Sequence, residues 1–459
     1  MSLLPVKPTL VILTLVAFLK APDAMPAFKN YKVLDFQNIP TVLDFKPRKT
    51  SAAPVEDEQL RMHPDKDLAS YKIFRLNDPA HSLDHFFEAL QRTEARKPGA
   101  ITRILHYGDS PTTADLITGD TRKLLQARFG DAGHGFCLLG KPWAWYDHNG
   151  VAIDGSGWSI DPSTTAKFKD GFYGIGGVSF RGDAGAHTNF VLKDDTHTRL
   201  RVSFLRQPSG GILEVLAEGR ALGTADTRGK VVEPGYFDVN LPAKSRHLQV
   251  RVASGQVRAF GVSFEKPGPG LEYDSLGLNG AYVSVLARMF DEKHWIEQLR
   301  HVQPDLVIIN YGTNESAYAA FVDKVYGKEL TEIVRRVRKA VPDTSILLMS
   351  PMDRGARDAG GEIGTMPTIP RLVTIQQRVA METGCGFFNT FLAMGGPGTM
   401  GQWYQAEPRL VGGDFIHPMP AGARIVGNLL YQALFDSYNQ YKVRRMQEKF
   451  AKVVTGTPK

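Results

Sequence analysis

Residues 104–130, "ILHYGDSPTTADLITGDTRKLLQARFG", change periodicity in the middle. Ile104, Leu105, His106 and Tyr107 form a short, mostly apolar run that ends in Gly-Asp-Ser. A proline follows Ser110, and then Leu116, Leu124, Leu125 and Phe129 recur among polar residues. The first half reads as a buried strand and the second as an amphipathic helix. Ser110 therefore falls at the junction. Its hydroxyl is exposed there, and its N–H lies at a helix N-terminus, where the dipole favours developing negative charge.

Upstream, "SLDHFFEALQRTEARKPGA" (82–100) spaces Leu83, Phe86, Phe87 and Leu90 as a helix, with Ser82 able to cap it and Pro98 to end it. Downstream the pattern changes. Between 141 and 268, short alternating runs such as "RLRVSFLRQ", "GILEVLAEG" and "HLQVRVASG" are separated by Gly, Pro, Asp and Ser. Strands at that spacing, with no helical run among them, predict a β-sandwich. After Gly270 helical and strand-like runs alternate again. "GAYVSVLARMFDEKHWIEQLRH", "KELTEIVRRVRKAV", "IPRLVTIQQRVAMETG" and "AGARIVGNLLYQALFDSYNQY" read as helices. "PDLVIINYGTNES", "TSILLMSPMDR" and "CGFFNTF" read as strands that run into loops. Strands alternating with helices predict a parallel sheet covered on both faces. The expected organisation is an α/β domain over 81–140 and 269–440, interrupted by an all-β module over 141–268. Residues 25–80, rich in Pro, Lys and Asp, read as a linker.

At the N-terminus, Lys7 precedes the apolar run "TLVILTLVAFL" (9–19), followed by small residues. Spanning a bilayer needs about 20 apolar residues, so the run fits the hydrophobic stretch of a secretory leader over 1–24. An uncleaved anchor is the alternative, and would be the chain's one membrane contact. The formal charge of +7 is concentrated in 441–459, which reads as a basic solvated tail. No other basic cluster is interleaved with aromatics, so a nucleic-acid partner is not expected. Cys137 and Cys385 are compatible with one disulfide or with two buried thiols. No spacing suggests metal ligands, and neither a metal nor a cofactor is expected.

In open α/β sheets, ligands gather at the carboxyl ends of the strands. Polar residues follow the expected strands at "GDS" (108–110), "LGLNGA" (276–281), "GTNE" (312–315) and "GDFIHP" (413–418). A serine hydroxyl needs a base to become a nucleophile, and the base needs an acid to orient it. His417 and Asp414 supply those types three positions apart, a spacing that puts both on one side of a helical turn. His417 is then the base for Ser110, and Asp414 holds its tautomer. Three donors could face an oxyanion: the N–H groups of Ser110 and Gly280, and the Asn314 side-chain amide. Trp143, Trp145, Tyr146 and Trp403 are candidates for a substrate rim. Asp109 and Asp115 are read as structural.

These four blocks in this order resemble the SGNH (GDSL-type) hydrolases, whose Ser, Gly, Asn and His would be Ser110, Gly280, Asn314 and His417. "GDSPTTADLITGDTRKLLQARFGDAGHGF", "YDSLGLNGAY" and "DLVIINYGTNES" are similar to the bacterial peptidoglycan O-acetylesterases. Two departures stand out: Pro111 replaces the His of "GDSHT", and "MPAGAR" follows the His417 block. The resemblance implies a flavodoxin-like three-layer α/β fold with an inserted, jelly-roll-like sandwich akin to a carbohydrate module. It implies an exported serine esterase, periplasmic or extracellular, that deacetylates an envelope polysaccharide such as peptidoglycan. An O-acetyltransferase with the same triad and a non-catalytic glycan-binding protein are the alternatives.

Overall fold

The computed structural model describes residues 73–455, apart from Lys169. The expected leader and most of the expected linker lie outside the described residues. Helix α1 (Asp84–Glu94) opens the fold. Its N-terminus is not held by Ser82. The Asp78 carboxylate accepts the N–H groups of Ser82 and Leu83 and the Ser82 hydroxyl. These bonds fix the chain just before the helix, whose N-cap residue makes no side-chain cap bond.

The site rests on a five-stranded parallel sheet. Its first strand is β1 (Ile101–Gly108), and the chain then leaves through α2 (Ser110–Thr113) and α3 (Ile117–Phe129). The periodicity predicts a single helix after Ser110, but Asp115 breaks it with φ of 52°. The Asp115 carboxylate is held there by Thr118, Arg122 and the Asn149 N–H.

The chain next enters the antiparallel part: β2 (Gly133–Cys137), β3 (Val151–Pro162), β4 (Val178–Leu192), β5 (Arg199–Arg206) and β6 (Ile212–Ala217). It continues through β7 (Arg220–Asp226), β8 (Glu233–Asn240), β9 (His247–Ser254) and β10 (Gln256–Glu265). All nine strands belong to one sheet, not two separate ones. The sheet turns because long strands change partners. Residues Phe180–Asp183 of β4 pair with β10, whereas His187–Val191 pair with β9. Such strands make the corners of orthogonally packed β-structures. The sheet also draws in β2, from before residue 141.

The parallel sheet resumes with β11 (Gly270–Gly277), β12 (Leu306–Asn310), β13 (Ser345–Met349) and β16 (Gly386–Phe388), in the spatial order β11-β1-β12-β13-β16. Between the last two, β14 (Gly355–Arg357) and β15 (Ile363–Thr365) form a small hairpin. Side chains alternate across the sheet. Val307, Ile309, Ile346 and Leu348 join a core with α4 (Glu292–Val302), α5 (Gly327–Ala340) and α6 (Thr368–Thr383). Leu306, Ile308, Leu347 and Met349 face the other way, onto α1, α3 and α7 (Pro420–Thr455). This is the three-layer arrangement of an α/β fold. The first of these cores runs without a break into the antiparallel sheet, through Tyr107, Leu276, Phe136, Val202 and Phe264.

Two further expectations change. The helix read over 280–301 is broken before Asp291, whose carboxylate caps α4 through the His294 N–H. The basic tail is helical through Thr455. Tyr441 and Lys442 are buried, Lys442 reaches Glu94, and Arg444 pairs with Asp84. Among the described residues, no helix is long and apolar enough to cross a membrane. Cys137 and Cys385 are free and buried.

Candidate active site

Parallel register brings three loops to one edge. Gly108, the last residue of β1, pairs with Gly277 on one side and Asn310 on the other. The loops carrying Ser110, Gly280 and Asn314 therefore leave from adjacent strand ends. Side-chain bonds tie them together. The Asn314 amide donates to the Ala281 carbonyl at 2.9 Å, and Glu315 Oε1 accepts the Val283 N–H at 2.8 Å. Asp109 bonds to Thr313. Gly108 and Gly277 must be small here. A Cβ on Gly108 would meet Thr112 Oγ1 at 2.2 Å, and one on Gly277 would meet the Thr112–Thr113 backbone at 2.6 Å.

The fourth loop arrives from 411–418. It is a turn, not the helical turn expected from the spacing. Asp414 Oδ1 accepts the N–H groups of Ile416 and His417 at 3.0 and 3.1 Å, and Phe415 takes φ of 59° between them. The turn leaves Asp414 Oδ2 facing His417 Nδ1 at 2.6 Å, and His417 Nε2 facing Ser110 Oγ at 2.8 Å. A carboxylate at Nδ1 implies that Nδ1 carries the proton, so Nε2 offers its lone pair to the serine hydroxyl. Ser110 is only 8% exposed, buried rather than open as the strand–helix junction leads one to expect, while the Asp414 and His417 side chains are each 47% exposed. Burial opposes charge on Asp414. The His417 ring and the N–H groups of the turn outweigh it and hold the carboxyl below the usual carboxylate range.

Gly280 takes φ of 71°, and no heavy atom lies within 4 Å of where its Cβ would sit, so no side chain shields that turn. The expected aromatic rim divides. Trp145 is 52% exposed, and Trp143 is partly buried against the core. Tyr146 and Trp403 are only 5% and 7% exposed. The Tyr146 hydroxyl accepts the Leu138 N–H, and Trp403 packs in the core beneath α7. Both rings are structural, a correction to the rim expected from the sequence.

Other groups border the site that the motifs did not mark. Arg354, in the loop after β13, donates to the Thr313 carbonyl at 2.8 Å and to Ser316 Oγ at 2.9 Å. Burial lowers its pKa, while Tyr282, Asp109, Asp414 and Tyr318 act in the opposite sense. It is a partly buried cation held close to both acids. Its signal was available, because "SPMDR" also follows a strand end. The rings of Tyr282 and the exposed Tyr318 lie 6.3 Å apart. Asp109 is pushed up to about 6 by burial, against the opposing pull of Thr313 and His417. Glu315 is pushed up to about 8, also by burial.

Residues 251–425 match the GDSL-like lipase/acylhydrolase family. The α/β domain has the SGNH/GDSL fold. The matched segment carries Gly280, Asn314, Asp414 and His417, whereas Ser110 lies before the antiparallel strands and outside it. With the family goes the coarse activity, that of a carboxylic ester hydrolase. Among solved structures, one described as a peptidoglycan O-acetylesterase in action aligns with a TM-score of 0.68 at 22% identity, over 80% of this chain and 99% of the other. That likeness extends the shared fold across both the GDSL-type domain and the antiparallel strands. A family two carbohydrate esterase from Clostridium thermocellum (TM-score 0.25, 12% identity, 61% of this chain and 96% of that one) is too distant to add to it. A salicylyl-acyltransferase from a tetracycline pathway (TM-score 0.28, 15% identity, 64% and 95%) is equally remote. Curated proteins yield no match.

Proposed function

We propose that this GDSL-type hydrolase is a serine esterase that removes O-acetyl groups from an exported polysaccharide, with peptidoglycan the leading substrate. The observation that carries the reading is the continuous chain Asp414–His417–Ser110, with separations of 2.6 and 2.8 Å, at the carboxyl edge of the sheet. In the proposed mechanism His417 Nε2 removes the Ser110 proton as Oγ attacks the acetyl carbonyl. The N–H groups of Ser110 and Gly280 and the Asn314 amide stabilise the oxyanion, each by several kcal/mol. His417 then gives its proton to the departing sugar oxygen. Water, activated by the same imidazole, releases acetate and frees Ser110. Asp414 stabilises the imidazolium in both steps.

Exposure supports a bulky substrate. With half of His417 and Asp414 open to solvent, an acetyl group projecting from a long glycan reaches Ser110 without the polymer having to enter the protein. The exposed Tyr318, beside Tyr282, gives such a chain an apolar surface to lie against. An envelope substrate places the enzyme outside the cytoplasm, consistent with the reading of residues 1–24. The test is acetate release from O-acetylated peptidoglycan, with a second glycan offered as acceptor. The reading expects free acetate from the wild type and none above background from Ser110→Ala. Acetyl groups appearing on the added glycan in place of acetate would make the enzyme a transferase.

A further inference from the structure

A second cluster of reactive side chains lies outside the Ser110 site, at the junction between the parallel and antiparallel sheets. His134 comes from β2, just after the chain leaves the α/β layer, and Asp194 and His197 come from the loop between β4 and β5. The returning connection is bonded to the outgoing one here. The Lys266 N–H reaches the Ala132 carbonyl, and the Thr198 N–H reaches the Glu265 carbonyl.

One ligand atom from each of the three residues lies within 4.8 Å of the other two. His134 Nε2 is 3.6 Å from Asp194 Oδ2, and His197 Nδ1 is 3.4 Å from Asp194 Oδ1. Neither separation is a hydrogen bond, and both are close to the ~3.3 Å between donors around a tetrahedral zinc ion. The His197 side chain is fully buried, and neither of its ring nitrogens has a partner. His134 Nε2 is likewise buried without one. A buried imidazole with no hydrogen bond at either nitrogen is unfavourable by itself, since polar groups taken from water need a replacement partner. The two rings stack at 4.8 Å, and a Cβ on Gly150 would lie 2.2 Å from the His134 ring, so the imidazole is confined. The charge balance fits. Lys266 contacts Asp131 at 2.6 Å and Asp194 at 3.2 Å, leaving two acids against one ammonium.

We infer that His134, Asp194 and His197 form a zinc-binding site that clamps the junction between the two sheets. Two imidazoles and one carboxylate suit zinc and exclude the all-oxygen sites of calcium or magnesium. A water molecule completes the coordination. The site is separate from the Ser110 chain, and its role is to hold β2 against the β4–β5 loop.

The experiment uses the full chain stripped with a chelator and titrated with zinc, reading bound zinc per chain and thermal stability. One zinc per chain and a raised melting temperature are expected, with no response to magnesium or calcium. His197→Gln and Asp194→Asn should each weaken zinc binding by about 100-fold or more and abolish the thermal shift. Asp194 is partly exposed, so its variant serves if the buried histidine variant does not fold. A wild type that takes up no stoichiometric zinc, or an Asp194→Asn protein that binds as the wild type does, overturns the inference.

Discussion

Glu315 Oε1 accepts the Val283 N–H at 2.8 Å, so the last residue of "GTNE" binds the Asn314 loop to the loop that follows Gly280. The carboxyl is fully buried, and its second oxygen has no partner. Burial holds its pKa at about 8, well above the ordinary 4.5. The folded chain therefore keeps a proton that the unfolded chain releases between those values. Stability from this group is complete below about pH 4.5 and is lost as pH rises through 8, by at most ~1.4 kcal/mol per pH unit. Glu272, near 8, and Asp274, near 6, act in the same direction, so the informative quantity is a difference between proteins. Urea unfolding from pH 5 to 9 should fall less steeply in Glu315→Gln than in wild type. Parallel curves would place the ionisation elsewhere.

Asp414 holds His417 through Nδ1 and through the turn that its other oxygen closes. Asp414→Asn keeps the size but can present an N–H to Nδ1, which favours the wrong tautomer. A kcat loss of about 10³–10⁴ with KM little changed is expected, by analogy with serine-protease triads. Because the wild-type carboxyl ionises below the usual range, this acid should not limit the rate at mildly acid pH. A loss under tenfold in steady-state assays on a small acetyl ester would remove Asp414 from the mechanism.

Asp109 precedes Ser110, the proposed nucleophile, and bonds to Thr313; burial pushes its carboxyl up to about 6. Above that pH its negative charge favours a protonated His417 in the transition state; below it, that help is lost. The kcat profile should therefore contain a falling step near pH 6 on the acid side. Asp109→Asn should lack this step and run about tenfold slower at pH 8, an effect of roughly 1.4 kcal/mol. Identical profiles for the two proteins would leave Asp109 as loop support alone.

Much of the site was legible because strand-end chemistry is local. The period change at Ser110, the strand before "GTN" and the spacing of Asp414 and His417 are each visible within a dozen residues. What escaped depends on distant partners. In β7, "RALGTAD" shows no apolar alternation, because it pairs at an open edge with mostly solvated faces. In β2, glycines dilute "GHGFC", and only pairing with β10 marks it as a strand. Tyr146 and Trp403 have the composition of a sugar platform, yet burial is decided by what packs over them. His134 and His197 stand 63 positions apart, with no spacing to betray them.

Asp115 and Arg122 form a buried ion pair beneath the Ser110 loop, with side chains 1% and 4% exposed. Removing one partner leaves the other charge buried and uncompensated, typically a loss of about 3–5 kcal/mol. Asp115→Ala should lose about that much stability in urea melts. Asp115→Asn combined with Arg122→Met should recover a large part of it. A single variant as stable as wild type would show that water reaches the guanidinium.

The central claim is that the acyl group passes through Ser110. Rapid quenching of the enzyme with an activated acetyl ester, followed by peptide mass analysis, tests it most directly. The account predicts acetyl on the peptide containing residue 110, its disappearance in Ser110→Ala, and a kcat/KM in that variant lower by about 10³ or more. Acetyl on a different residue, or turnover undiminished by Ser110→Ala, would contradict it.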